Sequence, residues 1–248
     1  MIKSLDINAD VGESYGNFKI GQDDVLMPYL TSCNIACGFH GGDPVTMHKT
    51  ISMALENDVA IGAHPSYPDL QGFGRRRMFL PREELKHLIE YQVYALKGMV
   101  EAQGGKLHHV KPHGALNNHM MDDLTLLEAV LETVHDIDPK LPVYVPFLPA
   151  IRKAGANIRF ELFADRSYEE DLRLTPRSIE GSLLKTKEDF GPHLRSLMEA
   201  IAITRGGQQL PVEIDTICIH GDNPGALEIA QYLHELTKEM GINLKSVR

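Results

Sequence analysis

The stretches Asn34-Ile-Ala-Cys-Gly-Phe-His40-Gly-Gly-Asp43-Pro44, Gly62-Ala-His64-Pro65, Val110-Lys111-Pro112-His113-Gly114 and Ile217-Cys-Ile-His220-Gly-Asp222-Asn-Pro224 follow one pattern. Each is an apolar run that ends in a histidine set among Gly or Pro. A strand of this kind delivers an imidazole to the edge of a parallel sheet, and Gly or Pro then turns the chain into the next helix. Loops at strand ends are where α/β proteins place their chemistry, so the four histidines point to one active site.

Working outward, strand-like runs at 3–9, 32–36, 59–63, 107–110, 143–145, 158–163 and 216–219 alternate with helical stretches at 45–56, 82–103, 124–134, 191–203 and 226–240. This βα rhythm fits either a closed barrel or an open doubly wound sheet. An open sheet gathers its ligands at one switch point. Here polar clusters follow five different strands, which favours a closed ring of loops. Asp43-Pro44 and Asn223-Pro224 read as an N-cap followed by an N1 proline. No low-complexity linker interrupts the chain, and the expectation is one domain over residues 1–248.

With 248 residues and 43% apolar content the chain can bury a full core. Its net charge of -9 argues against nucleic acid as a partner. Without a long apolar run or a leader segment, no membrane association is expected and a cytoplasmic location is. The cysteines Cys33, Cys37 and Cys218 read as buried structural thiols. No phosphate-binding loop, dinucleotide fingerprint, nucleophile elbow or zinc-protease pair occurs, so carboxylate and histidine chemistry remains.

In Asp6-Ile-Asn8-Ala-Asp10-Val-Gly12-Glu13, alternation sends Asp6, Asn8 and Asp10 to one side of the first strand. Parallel strands normally bury apolar residues on both faces. Such a polar row is costly unless it is hydrogen bonded, protonated or bound to a cation. His40 and His64 follow the next two strands, where they could join Asp10 around a divalent ion, act as acid or base, or bind substrate. Lys111 and His113 leave the fourth strand beside Pro112 and Gly114, aimed to meet an anion or a developing oxyanion. His220 and Asp222 repeat the arrangement on the last strand. Gly72-Phe-Gly74-Arg75-Arg-Arg77 reads equally as a mobile basic loop with two glycine hinges that closes on a carboxylate or phosphate and as a solvated charge run. His48, His87, His135, His193 and His234 fall in helical stretches and are expected on the surface.

The blocks Asn8-Ala-Asp10-Val-Gly-Glu13, Asn34-Ile-Ala-Cys-Gly-Phe-His40, Gly62-Ala-His64-Pro-Ser-Tyr67, Lys111-Pro-His113-Gly-Ala-Leu116, Phe163-Ala-Asp165-Arg166 and His220-Gly-Asp-Asn-Pro224 run from the first strand to the last. In these the chain resembles the LamB/YcsF family. The resemblance implies a distorted seven-stranded β/α barrel related to sugar deacetylases. It also implies service as the A subunit of an ATP-dependent 5-oxoprolinase, which forms L-glutamate from 5-oxo-L-proline with separate B and C subunits. ATP would then be bound by the partners or at an unconventional site. Asp10, His40, His64, Lys111, His113 and His220 are the expected catalytic residues, with Asp10, His40 and His64 as the metal set if a metal is used. Asn8, Glu13, Asp43, Arg75, Asp165, Arg166, Asp222 and Asn223 are expected around the substrate. Asn117 replaces the family's usual Tyr, and Leu172 replaces its Gly, so Asn117 and the 171–177 loop are left out of the site. Two alternatives stay open: a metal-dependent amidase or deacetylase, and a noncatalytic protein that only binds 5-oxoproline.

Overall fold

The computed structural model describes residues 2–151 and 157–246. Its elements in chain order are β1 (Ser4–Val11), α1 (Asp23–Leu26), β2 (Ser32–Ala36), α2 (Pro44–Glu56), β3 (Ala60–His64), α3 (Arg82–Ala102), β4 (Leu107–Val110), α4 (Gly114–Asp122), α5 (Leu124–Ile137), β5 (Val143–Pro146), β6 (Ile158–Phe163), α6 (Lys187–Met198), β7 (Ile201–Ile203), β8 (Gln209–Pro211), β9 (Thr216–His220), α7 (Ala226–Glu239) and β10 (Asn243–Leu244). Strands β1 to β6 pair in sequence order, β6 pairs with β9, and β9 pairs with β1, all parallel. The result is a closed seven-stranded barrel ringed by helices. β10 adds a short outer pairing beside β1.

Local chemistry explains the helix starts. Asp43 accepts from the Val45 and Thr46 amides with Pro44 in the first turn of α2, as the sequence predicts. Asp123 caps α5 in the same way, and Thr186 with Asp189 forms a capping box on α6. The Asn223-Pro224 expectation is corrected: α7 begins at Ala226, and Asn223 Oδ1 instead accepts from the Gly225 amide in the preceding turn. The helix expected at 191–203 is also corrected. α6 starts earlier and ends at Met198, Ala200 adopts a positive φ of 60°, and Ile201-Ala202-Ile203 pairs antiparallel with β8. β-branched residues before Thr204-Arg-Gly-Gly207 suit a hairpin better than another helical turn.

Between barrel and helices the core is apolar, including Ile7, Ile35, Ile61, Ile89, Val93 and Leu233. Inside the barrel it is not. Asp6 accepts hydrogen bonds from the hydroxyls of Ser32 (2.7 Å), Thr216 (2.6 Å), Tyr144 (3.2 Å) and Thr31. One layer up, Asn8 donates to Glu161 (3.0 Å) and Thr216 (2.7 Å) and accepts from Asn34 (2.7 Å). His109 meets Asn34 Oδ1 at 2.7 Å and stacks on Tyr144. Gly62 makes room for that imidazole, since a Cβ there would lie 2.1 Å from His109 Nε2. Asp10 tops the column at the C-terminal mouth, facing His220 in register across the β1–β9 seam.

Candidate active site

Asp10, His64, Lys111, His113 and His220 line one cavity of about 430 Å³ together with Arg75 and Arg166. That is the size range of small-molecule sites. The cavity sits at the C-terminal strand ends, where barrels of this architecture carry their chemistry.

Lys111 Nζ lies 2.8 Å from Asp10 Oδ1, 2.9 Å from Glu161 Oε1 and 2.9 Å from Cys218 Sγ, at the floor of the cavity. Burial works against its ammonium, but facing negative charge, Asp10 foremost, raises it well above 10.5. Burial likewise opposes ionisation of Asp10, and the electrostatic pull of its neighbours His64 and Lys111 outweighs it, holding that carboxyl well below 3.8. Glu161 is pushed up by burial despite Lys111. Cys218 therefore has a basic neighbour that the sequence does not disclose. Burial keeps its thiol well above 9.0, so it remains a thiol. Cys33 and Cys37 are buried and free, as expected.

Three further histidines gather on one side. His40 Nε2 lies 3.1 Å from Glu13 Oε1, and the His40 ring stacks on His113 with centroids 3.7 Å apart. His64 Nδ1 meets the Lys111 carbonyl at 2.6 Å, and His64 Nε2 is 3.4 Å from Asp10 Oδ2. Burial lowers the basicity of both His40 and His113 well below the usual range. Glu13 is raised well above 4.5, by burial and then by Asp10. Glu13, His40, His64 and His113 present donor atoms within 4.8 Å of one another, a grouping fit for a metal ion. Of the expected set Asp10, His40 and His64, the two histidines fall in this group with Glu13 and His113, whereas Asp10 falls in a second group of possible donors with Cys218 and His220.

On the opposite wall His220 Nδ1 bonds Asp165 Oδ1 at 2.8 Å, leaving Nε2 for the cavity. Asp165 is fully buried and lowered, with the pull of His220 outweighing burial. Asn223 supports it from behind, donating to Asp165 Oδ2 at 3.1 Å. Around the mouth, Asp222 bridges Arg75 (2.6 Å) and Arg177 (3.5 Å). Arg166 donates to the Ser182 and Thr175 carbonyls, and burial followed by Arg177 brings its guanidinium down to about 10.

Several expected site residues stand outside the cavity lining. Asn8 belongs to the layer below, Glu13, His40, Asp165 and Asn223 are not part of the lining, and Asp222 holds two arginines at the mouth. Asp43 is corrected to a structural role, since its carboxylate is spent on the α2 cap and on the Gly16 amide (2.8 Å). The glycine hinges are also corrected. Gly74 has a φ of +63°, and a Cβ there would come within 2.8 Å of both His113 and His40. The Phe73 carbonyl meets His113 Nε2, while buried Asp69 holds Arg76 and the Gly72 amide. Of the three arginines only Arg75 faces the cavity. Arg77 pairs with Asp122 instead. His193 is buried against the Phe163 carbonyl (2.9 Å), contrary to the surface expectation.

Asn117 and Leu172, Arg173, Leu174, Pro176 and Arg177 do line the cavity, although departure from the family pattern had argued against them. Leu172 keeps a positive φ of 66°, the conformation a glycine would take there. Glu161, Asn34 and His109 escape the sequence reading as well. For Asn34 and His109 a signal is available: polar residues inside strands of an all-parallel sheet, the reasoning that singles out Asp6, Asn8 and Asp10.

Residues 5–248 match the LamB/YcsF family. A relative from Pyrococcus furiosus, named as the A subunit of 5-oxoprolinase, is 44% identical over 245 residues, covering 97% of this chain and 96% of that protein. One of the same name from Shouchella clausii is 44% identical over 250 residues, covering 99% of each. The crystal structure of a lactam utilization protein from Thermus thermophilus superposes with a TM-score of 0.89 at 39% identity, covering 98% of this chain and 100% of that one. A putative cellobiose-phosphate cleavage protein from Enterococcus faecalis V583 shares the fold, with a TM-score of 0.58 at 15% identity over 99% of this chain and 98% of its own. The histidine-bearing blocks converge on the mouth of one closed barrel, and by sequence and structure alike this chain belongs to the LamB/YcsF family.

Proposed function

We propose that this chain is the A subunit of an ATP-dependent 5-oxoprolinase, opening the lactam of 5-oxo-L-proline to L-glutamate in a cytoplasmic complex with B and C subunits. The observation that carries this reading is the pairing, in one cavity, of a buried lysine with a carboxylate-oriented histidine beneath a rim of arginines. The names borne by the full-length relatives support the substrate and the membership of a larger complex. Three free cysteines accord with a reducing compartment.

Lactam opening adds water to the ring carbonyl carbon and breaks its bond to nitrogen. The oxygen becomes part of a new carboxylate, and the nitrogen leaves with a proton. Lys111, held cationic, faces the negative charge that builds on the carbonyl oxygen. His220, its Nδ1 fixed by Asp165, takes a proton from water and returns it to the departing nitrogen. Arg75, Arg166 and Arg177 meet the substrate carboxylate. A five-membered lactam is a stabilised amide, which gives ATP its place: transfer of its γ-phosphoryl group to the lactam oxygen releases ADP and activates the carbon. Water addition with cleavage of the C–N bond then leaves an acyl phosphate, and a second water releases inorganic phosphate and the carboxylate. This chain has no phosphate-binding loop, so the nucleotide is assigned to the partners or to an unconventional site where they meet this chain.

The test is glutamate release from 5-oxo-L-proline and ATP by this chain alone, by the B and C subunits alone, and by all three. Turnover confined to the full mixture and abolished by Lys111→Ala supports the reading. Turnover without ATP, or full activity in the Lys111→Ala mixture, overturns it. ATP hydrolysis that proceeds normally while site variants lose only affinity would instead mark a chain that presents substrate to its partners.

A further inference from the structure

His64 and His113 are held by the main chain in a way that fixes where their lone pairs lie. His64 Nδ1 sits 2.6 Å from the Lys111 carbonyl oxygen, and His113 Nε2 sits 2.9 Å from the Phe73 carbonyl oxygen. A carbonyl only accepts, so both of these nitrogens carry hydrogen. A neutral imidazole has one N–H, and the lone pairs therefore occupy His64 Nε2 and His113 Nδ1. Those two atoms are 2.9 Å apart. Two acceptors at that separation repel unless a cation lies against both. Carboxyl oxygens converge on the same point, with Asp10 Oδ2 3.4 Å from His64 Nε2 and Glu13 Oε1 3.7 Å from His113 Nδ1.

We propose that His64 Nε2, His113 Nδ1 and the Glu13 carboxylate bind a divalent transition-metal ion, with Asp10 adjacent on the cavity side. Two imidazoles and a carboxylate suit zinc, cobalt or manganese. Metal–nitrogen bonds of about 2.0–2.1 Å reach a shared ion from donors with this spacing. The remote nitrogen of each ring is tied to a backbone carbonyl, the support that metal-binding histidines typically receive. His64, His113 and Asp10 line the cavity, so such an ion would face substrate or water. His40 is excluded from the ligand set. Its ring lies parallel to His113, which puts its in-plane lone pair in a separate layer, and its Nε2 is engaged with Glu13. His40 is thus a positioning residue for Glu13. A proton shared between His64 and His113 is the competing way to relieve the same repulsion.

This inference does not depend on the substrate assignment and is tested without turnover. The chelator-treated chain is titrated with Co²⁺ while the visible d–d bands are followed, and zinc content after dialysis is measured by mass spectrometry. The expected result is one ion per chain, with affinity reduced at least roughly 100-fold in His64→Gln and in His113→Gln. His234→Gln on α7 should leave it unchanged. Should either ligand variant fail to fold, ¹⁵N spectra of the wild-type chain decide: zinc-dependent shifts at His64 Nε2 and His113 Nδ1 support the site. Absence of a saturable Co²⁺ spectrum, or a proton shared by the two rings in the presence of excess Zn²⁺, overturns it.

Discussion

Asp6 and Asp10 stand on the same inward row of β1, two layers apart, and differ in nearly every respect. At the closed end Asp6 is surrounded by hydroxyls, from Thr31, Ser32, Tyr144 and Thr216, with no cation paired to it among the described residues. Burial raises its carboxyl above 3.8, and the hydroxyls offset that only in part. At the mouth Asp10 faces Lys111 and His64, and its carboxyl is held well below that value. The lower layer spends its polarity on itself. The mouth keeps buried atoms without hydrogen-bond partners among the described residues, such as His40 Nδ1 and Asn117 Oδ1. Satisfied polar networks specify a packing, whereas charge and unspent hydrogen-bonding capacity at a cavity are what a ligand can use.

The sharpest break in this comparison is Lys111→Met. It leaves Asp10 and Glu161 buried without their cation, so stability should fall by about 3–5 kcal/mol and turnover by about 10³-fold or more. Urea melts and reconstituted glutamate release check the two numbers separately. Asp165→Asn comes next. It keeps the shape of the wall but loosens His220, and kcat should drop about 10²–10⁴-fold with little change in KM and an altered pH profile. A purely structural Asp165 would give a melting shift with the pH profile intact.

Asp6→Asn probes the other half of the comparison. We expect a loss of about 1–3 kcal/mol from the disturbed hydroxyl network, with activity per folded molecule unchanged. The smallest effect is its pH dependence. Because the folded carboxyl of Asp6 is raised, its contribution to stability is full below 3.8 and declines as pH rises through the folded value. The variant lacks this titration, so its deficit relative to wild type should shrink as pH increases above 3.8. Paired urea melts at several pH values measure the trend, and a deficit that widens would contradict it.

The barrel strands are readable in the sequence because most end at a Gly or Pro turn, and the β1 row discloses its inward polar face by alternation alone. Glu161 is hidden for the opposite reason: in Ile158-Arg-Phe-Glu161-Leu-Phe163 the alternation looks like an edge strand with one wet face. Only closure of the sheet puts that face inside. The partition of the mouth is also beyond sequence. His40 and His64 follow equivalent turns, yet the stacking of His40 on His113 depends on the path of the Phe73-Gly74 loop. Asn117 and the 171–177 loop depart from the family pattern, but a departure in residue type does not move the backbone that carries it. Leu172 shows this directly, keeping a backbone conformation suited to glycine.

The seam between β1 and β9 carries a consequence for synthesis in the cell. Asp6 pairs with Thr216, Asn8 with Cys218 and Asp10 with His220, so the first and the last barrel strands close the ring and meet across the reaction cavity. Throughout translation the polar row of β1 has no lid, and its eventual neighbours on β9 are still unmade. A nascent chain interrupted before residue 216 has neither a sealed barrel nor the His220 side of the pocket. Function in such a polypeptide therefore switches on once, late, and as a whole.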